Sequence, residues 1–291
     1  MANENQILRT NATGFSTAAN WVQIDGSTAG TDVTDTDNTR VINAFDGSIT
    51  ADLTPTFGAD GGLDYLRINS ACTGSIGTSA GPIVAPTDDD LYSLVTTRAA
   101  VVYKASGGAL YLSGNGGTTE DLIHIYIQNS GGRSFFVGTW TARHVFLEGG
   151  PLQVIGTVGS ESATYDWYWS GGNADVLDSS TAIHDLTIVG GSHTLRRGVS
   201  GTLRIAGGTV TIDAGGRAFG TIEVLGGNVI VRNCGTVTTF NALGGTVDES
   251  QSQRLITYTT QNDGAGCTVI PSPNITRGTR NKWGTGAKGL T

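Results

Sequence analysis

A pair of adjacent glycines recurs through the middle of the chain at a nearly constant interval. The pairs begin at positions 131, 149, 171, 190, 207, 226 and 244, so the successive steps are 18, 22, 19, 17, 19 and 18 residues. Short stretches that alternate apolar and polar residues flank the pairs. Such alternation, rich in β-branched residues, indicates strands with one buried face, and the glycines supply the positive φ of a corner. Each repeat is therefore predicted to be a strand, a corner and a second strand.

A repeat of this size cannot bury its own apolar face, so neighbouring repeats must stack at about 4.8 Å and share an interior. We therefore predict an all-β fold, a β-solenoid (β-helix) with coils of about 18–19 residues. The alternative is an antiparallel sandwich, which also has short strands and glycine turns but rarely repeats one turn dipeptide so regularly. The side chains predicted to point inward are Val210, Ile212, Ile222, Val224, Val229, Val231 and Val247.

The extent of this pattern predicts three regions. Residues 1–95 are predicted to be an irregular β region or a set of atypical capping coils, and residues 96–255 the β-solenoid. Residues 256–291 are predicted to be an extended C-terminal arm. Its last thirty residues are rich in Gly, Pro and Thr and contain too few apolar side chains to form a core.

Charge is unevenly distributed along the 291 residues, whose formal net charge is −8. Residues 1–90 contain twelve acidic and three basic side chains, whereas residues 264–291 contain four basic and no acidic ones. An acidic front argues against nucleic acid as a partner for the body of the protein. The basic end suits contact with an acidic protein surface.

Several common chemistries have no signature in this sequence. It contains no phosphate-binding glycine loop, no zinc spacing among its four histidines and no cofactor motif. The acidic clusters at residues 32–37 and 88–90 are interpreted as turn carboxylates rather than cation sites. The three cysteines, Cys72, Cys234 and Cys267, are predicted to be reduced thiols. With no signal peptide and no apolar run long enough to cross a membrane, the chain is predicted to be made in the cytoplasm.

An aromatic cluster at residues 165–170 is the most suggestive local feature. Trp167 and Trp169 alternate along a predicted strand, with acidic residues nearby in sequence. These rings are predicted to pack in the fold or at a partner interface, and both indoles are candidate partner-binding residues. Stacking on sugar rings is the alternative, with glycan hydrolysis as its catalytic extension. The sequence does not identify a pair of catalytic acids, so we predict that the protein is not an enzyme.

The C-terminal arm provides the other candidate partner-binding residues, which are Arg277, Arg280, Lys282 and Trp283. The three cations are expected to orient the arm on a neighbouring subunit or shell protein, while burial of Trp283 supplies affinity. The alternative is that the arm folds back and covers an exposed sheet edge of its own solenoid.

Residues 15–21, 63–68 and 73–78 carry a resemblance to structural proteins of tailed bacteriophages that combine an irregular N-terminal region with a β-helical body. The resemblance extends over roughly residues 10–250. It implies a virion protein, most simply a capsid decoration or cement protein that binds the major capsid protein as a homotrimer, without membrane or nucleic acid contacts. The alternative within this group is a tail fibre or tailspike protein that recognises host glycans. An adhesin-like extracellular repeat protein is disfavoured because no signal peptide is evident.

Overall fold

The computed structural model describes residues 6–8, 21–23, 39–42, 65–84, 100–113, 124–128, 130–142, 144–159, 166–176 and 183–283. Within these ranges the regular elements are all β-strands, and no helix occurs. The chain divides into two compact units, residues 1–158 (unit 1) and 159–291 (unit 2). The division lies inside the region predicted as one solenoid, so the glycine repeat continues from one unit into the next.

Unit 1 is built from short strands in two parallel ladders. One ladder contains β1, β3, β4, β6, β8 and β11, and the other contains β5, β7, β9 and β12. β2 pairs antiparallel with β1, and β10 pairs with β13 in a separate two-stranded sheet. The bounds are β1 (Gln6–Leu8), β2 (Trp21–Gln23), β3 (Thr39–Ile42), β4 (Tyr65–Ile68), β5 (Ile83–Val84), β6 (Ala100–Tyr103), β7 (Ala109–Ser113), β8 (His124–Ile127), β9 (Arg133–Phe136), β10 (Thr139–Thr141), β11 (His144–Leu147), β12 (Pro151–Val154) and β13 (Thr157–Gly159).

Unit 2 repeats this arrangement with longer strands toward its C-terminal end. Its first ladder contains β14, β16, β18, β20, β22, β23 and β24, all parallel. Its second ladder contains β15, β17, β19 and β21, followed by the later halves of β22 and β23. The bounds are β14 (Asp166–Trp169), β15 (Asn173–Val176), β16 (Asp185–Ile188), β17 (Ser192–Leu195), β18 (Thr202–Ile205), β19 (Thr209–Asp213), β20 (Phe219–Val224), β21 (Asn228–Asn233), β22 (Thr236–Asp248), β23 (Ile256–Ile270) and β24 (Ile275–Trp283). The predicted β-solenoid is confirmed.

The core of unit 2 consists of columns of apolar side chains that stack from coil to coil. Val210, Val229 and Val247 occupy one such column, because β19, β21 and β22 pair in register. All seven side chains predicted to point inward are exposed by no more than 1%. Full burial of an aliphatic side chain contributes about 1.5–3 kcal/mol, so these columns supply much of the stability of the coils.

The predicted glycine corners are present. They need glycine both for its positive φ and for its lack of a Cβ atom. Gly227 has a φ of 77°, and a Cβ atom at this position would lie 2.6 Å from the carbonyl oxygen of Gly208 in the preceding coil. The same carbonyl accepts a hydrogen bond of 2.8 Å from the backbone N–H of Asn228. Positive φ recurs at Gly150, Gly172, Gly191, Gly208, Gly227 and Gly245, the second residue of each predicted pair from position 149 onward.

Parallel pairing crosses both of the predicted region boundaries. β4 pairs with β6 across residue 95, and β22 pairs with β23 across residue 255. Residues 256–283, predicted as an extended arm beyond the solenoid, instead form its last two described coils through β23 and β24. The glycine repeat did not predict these coils because they lack the Gly-Gly pair and because polar or charged side chains occupy several of their inward positions.

Candidate functional site: the charged layer of the C-terminal coils

The two tryptophans predicted to bind a partner belong to the interior of unit 2. β14 places Trp167 in register with Leu186 and Trp169 in register with Ile188, and both indoles are exposed by 0%. Their ring centroids are 6.3 Å apart, and the ring of Trp169 lies 4.9 Å from that of His193. The prediction of partner binding is therefore corrected for these residues: alternation along the strand turns them into the core. Packing within the fold, the other interpretation, describes their position.

The outward-facing ring of this strand is Tyr168, which is 41% exposed. It belongs to the predicted aromatic cluster, whose first member, Tyr165, lies outside the described residues. Burial of the tryptophans thus leaves β14 with one aromatic side chain at the surface.

The inward columns of unit 2 change character in the last two coils. In three columns the side chains are apolar up to β22, whereas β23 and β24 place polar or charged side chains at the same positions. The chemical change occurs without a change of fold, because the strands remain parallel and in register. The three columns are Ile222, Phe240, Gln261 and Arg280; Val224, Ala242, Asp263 and Lys282; and Val237, Tyr258 and Arg277.

These side chains form a network that we call the charged layer, comprising Glu249, Tyr258, Gln261, Asp263, Arg277 and Arg280. Arg277 is at its centre. Its Nε donates a hydrogen bond of 2.5 Å to Oε1 of Gln261, and its Nη2 donates to the carboxylate of Glu249. The guanidinium carbon also lies 5.9 Å from the centre of the Tyr258 ring, within cation–π range.

The network continues from Gln261 toward the outside of the coil. Nε2 of Gln261 donates to Oδ1 of Asp263 at 2.7 Å, and Nε of Arg280 donates to Oδ2 of the same carboxylate at 2.7 Å. Glu249, Arg277, Gln261, Asp263 and Arg280 are thereby joined in one chain of hydrogen bonds. Two carboxylates are each paired with an arginine, as burial of charge requires.

Burial determines the electrostatics of this layer. Glu249 and Tyr258 are both exposed by 0%. Burial raises the pKa of the Glu249 carboxyl, and the positive charge of Arg277 opposes this shift. Burial, with the adjacent Glu249, raises the pKa of Tyr258 well above its ordinary value. The same two causes raise the pKa of Cys234 to about 12, which keeps this thiol protonated and unreactive at neutral pH.

Next to the charged layer, an asparagine ladder follows the outer side of the same strands. Nδ2 of Asn281 donates to Oδ1 of Asn262 at 2.8 Å, and Nδ2 of Asn262 donates to Oδ1 of Asn241 at 2.7 Å. All the donors point in the same chain direction, from β24 back to β22. Asn281 therefore ends the ladder with an amide oxygen as its terminal acceptor.

The predicted arm residues divide into two pairs. Arg277 and Arg280 form the ion pairs described above, and their side chains are exposed by 17% and 31%. Lys282 and Trp283 are exposed at the end of β24, and Trp283 retains 57% of its accessible surface. Among the described residues no strand pairs with the outer side of β24, and Lys282 forms no ion pair. We call this side of the strand, with Arg280, Asn281, Lys282 and Trp283, the β24 edge.

The arrangement suits a structural role better than catalysis at the layer itself. Carboxyl and phenol groups with no exposed surface do not reach a solvent-borne substrate, whereas paired inward charges close the end of an apolar interior. Sequence reasoning missed Glu249, Tyr258, Gln261 and Asp263. The repeat spacing does not identify them, because the register between β22 and β23 shifts after Ala242, which is opposite Asp263, whereas Gly244 is opposite Gly266.

Other candidate chemistry is sparse in the described part of the chain. Within it no group of three or more His, Cys, Asp or Glu side chains is arranged to hold a metal ion. No described helix is long and apolar enough to cross a membrane. The acidic clusters at residues 32–37 and 88–90 lie outside the described residues. Comparisons with protein-family models, curated protein sequences and solved structures found no match to the chain.

Proposed function

We propose that this protein is a structural component of a tailed-phage particle, a capsid decoration or cement protein that binds the major capsid shell and stabilises it. The observation that carries the proposal is that the conspicuous aromatic and charged side chains serve the coil stack itself. Trp167, Trp169, Glu249 and Tyr258 are each exposed by 0%. Their burial supports a stiff scaffold for contact with other proteins.

Aromatic side chains on the outward positions of unit 1 support the same function. The rings of Tyr126 and Phe146 stack at 4.7 Å with an interplanar angle of 4°, and those of Tyr111 and Phe135 stack at 4.6 Å and 11°. Each ring in these pairs lies against its neighbour in the adjacent coil, so that face does not offer a flat platform to a sugar. These pairs strengthen the stack between coils.

Recognition of host glycans by a tail fibre or tailspike protein remains the second proposal. It relied on Trp167 and Trp169 as a sugar platform, and their burial removes that support. Tyr168 is the remaining aromatic contact that β14 offers at the surface. The capsid proposal is therefore the one that the geometry favours.

Binding to assembled shells of the major capsid protein tests the proposal. The purified protein is expected to co-sediment with shells at a saturable ratio and to raise the temperature at which they disrupt. Electron microscopy of labelled virions is expected to show it on the head. Co-sedimentation with polysaccharide but not with shells, or a label confined to the tail, would overturn the capsid assignment.

Oligomeric state provides a second test. A closed oligomer suits the decoration of a symmetric shell, so we propose that the protein is a homotrimer. We also propose that it is produced in the host cytoplasm and incorporated into the virion. Light scattering at micromolar concentration is expected to give three times the chain mass of 30.0 kDa. A monomer under these conditions would contradict the trimer and leave shell binding to be judged by sedimentation.

A further inference from the structure

We infer that the β24 edge is a docking site for an acidic extended strand of the shell protein, which pairs with β24 and places carboxylates on Arg280 and Lys282. This inference rests on the proposed function, because it names the shell protein as the source of the strand. It replaces the predicted extended arm with a preformed strand edge. Four features of the edge support it.

The first feature is the backbone. β24 is hydrogen-bonded to β23 from Ile275 to Trp283 on one side, and no described strand pairs with its other side. Unpaired N–H and C=O groups along a strand edge are a template for strand addition, the recognition mode in which backbone bonds give affinity and alternate side chains give specificity.

The second feature is an excess of positive charge. Arg277, Arg280 and Lys282 face two carboxylates, those of Glu249 and Asp263. Both oxygens of Asp263 already accept hydrogen bonds, from Gln261 and from Arg280. Lys282 is in register with Asp263 but forms no ion pair among the described residues. Lys282 is therefore left for a carboxylate from outside the chain, and Arg280, which donates only its Nε to Asp263, has its terminal N–H groups left for a second one.

The third feature is spacing. Arg280 and Lys282 lie two positions apart on one strand, so their side chains project on the same side. A strand paired in parallel with β24 would place its own alternate side chains above them. Glu or Asp at every second position is the pattern that satisfies both cations, and an apolar pattern would bury them without partners.

The fourth feature lies at the end of the strand. Trp283 offers a large exposed ring directly after Lys282, and exposed aromatic side chains beside cations are typical anchors of protein interfaces. Asn281 contributes the terminal acceptor of the asparagine ladder between the two cations. A partner residue that donates a hydrogen bond, such as Thr or Asn, suits this position.

A second copy of the chain is a poorer occupant. Head-to-tail addition of solenoids through one open edge does not close and would generate filaments, which does not suit a protein with a fixed number of copies on a shell. An apolar coil is also disfavoured, because it would desolvate the charged layer without pairing Lys282.

The test uses the full-length protein and a synthetic peptide of alternating Thr and Glu, with Gln replacing Glu in the control peptide. Calorimetric titration at low salt is expected to show binding of the Glu peptide at least about tenfold tighter than the Gln peptide, and weakening as salt increases. Lys282→Glu is expected to reduce the affinity by about tenfold or more, a loss that corresponds to about 1.4 kcal/mol. The matched control is Arg133→Glu, which changes an exposed arginine of β9 in unit 1 and is expected to leave binding unchanged.

Equal binding of the two peptides, or an equal loss in Lys282→Glu and Arg133→Glu, would overturn the inference. So would binding by a chain that ends at Trp283 but not by the full-length chain, because residues 284–291 would then be the occupant. A mass increase of the wild type that Lys282→Glu abolishes would instead identify a second copy as the occupant.

Shell binding separates this inference from the proposed function. If the Glu peptide does not bind but the protein co-sediments with shells, the docking edge is wrong and the capsid function stands. If the Glu peptide binds but the wild-type protein does not co-sediment with shells, the docking edge stands and the shell protein is not the source of the strand.

Discussion

The middle and the end of unit 2 share one backbone plan but differ in their interiors. Between β16 and β21 the inward columns are filled mainly by aliphatic side chains that are essentially fully buried, with His193 as a buried polar member. In β23 and β24 the same columns carry Gln261, Asp263, Arg277 and Arg280, joined by hydrogen bonds and ion pairs. Parallel backbone pairing is therefore enough to continue the coils, while the inward side chains determine whether the stack can be extended further.

The comparison also indicates how the last described coils end the apolar columns. An apolar column that simply stopped would expose its last layer to water and to other chains. Here the ring of Tyr258 stacks on Phe240 at 4.6 Å, and the guanidinium of Arg277 covers the outer face of Tyr258. The interior passes from aliphatic to aromatic to cationic within three coils, so the outermost layer is one that tolerates water.

The largest effect on the free energy of unfolding is expected when a carboxylate, as found in β23, is placed in the apolar middle coils of unit 2. Val224→Asp places a carboxylate between Ile205 and Ala242, in the column that contains Asp263 two coils later. The new charge has no arginine partner in its column, so we expect a loss of about 5 kcal/mol in the free energy of unfolding. Urea denaturation measures it, with Val224→Ala as a control that loses only about 2 kcal/mol. Comparable losses in the two variants would contradict the apolar character of the middle coils.

The next effect concerns the pair at the centre of the charged layer. Arg277→Leu leaves Glu249 fully buried without its cation, and we expect a loss of about 3 kcal/mol at neutral pH. Because burial raises the pKa of Glu249 in the folded state, ionisation of this group removes stability as the pH rises above its ordinary value of 4.5. The loss in the variant is therefore expected to shrink as the pH falls toward that value.

Replacing both partners separates burial of a charge from loss of packing. Arg277→Leu combined with Glu249→Leu is expected to recover most of the stability lost in the single variant. Thermal and urea unfolding of the two variants at the same pH provide the comparison. If the double variant is as unstable as the single one, packing of these side chains, rather than charge pairing, stabilises the charged layer.

A smaller effect is expected from the buried histidine of the middle coils. Nδ1 of His193 accepts from the backbone N–H of Ala174 at 3.2 Å, and Nε2 donates to the carbonyl oxygen of Gly190 at 2.7 Å, which requires a neutral ring. Burial lowers the pKa of His193 below 6.5, so its contribution to stability is complete above pH 6.5 and is lost as the pH falls toward the lowered value. Each unit of lowering corresponds to about 1.4 kcal/mol.

Urea unfolding between pH 8 and pH 5 measures this dependence. Because Glu249 contributes with the opposite sign, the test is the difference between the two proteins: the wild type is expected to be more stable than His193→Gln at pH 8, and this advantage is expected to shrink as the pH falls to 5. Identical pH dependence in the two proteins would assign the effect to other groups.

The smallest effect is expected from the ion pair on the outer side of the middle coils. Arg204 and Glu223 are 2.6 Å apart across β18 and β20, and their side chains are 52% and 22% exposed. Solvent and salt screen such a pair, so a double-mutant cycle with alanine is expected to give a coupling of about 0.2–1 kcal/mol. A coupling as large as that of Arg277 with Glu249 would remove the distinction between inner and outer charges.

The sequence predicted the coils wherever corner and core signals coincide. The glycine pairs identify the corners because the chain there needs both positive φ and close backbone approach, as at Gly227. Alternating valine and isoleucine identify the inward face, and every one of the seven predicted inward residues is buried. Strand alternation alone, however, did not tell which face of β14 is inside, so Trp167 and Trp169 were assigned to a partner.

The C-terminal coils show why pattern recognition stopped short. A core is expected to be apolar, so the polar stretch from residue 256 onward was predicted as an arm. In the fold, the carboxylate of inward Asp263 accepts a hydrogen bond from Arg280 of the next strand. Such a pair satisfies burial through a contact between distant positions, and composition contains no information about it.

The sequence by itself determined the repeat, its corners and the apolar columns, because these depend on local φ preferences and on the alternation of side chains along each strand. Only the tertiary structure decided which charged side chains form ion pairs within the coils and which remain exposed at the surface. That outcome depends on register, since a shift of β24 by one residue would turn Arg277 and Arg280 outward and leave Glu249 and Asp263 buried without partners.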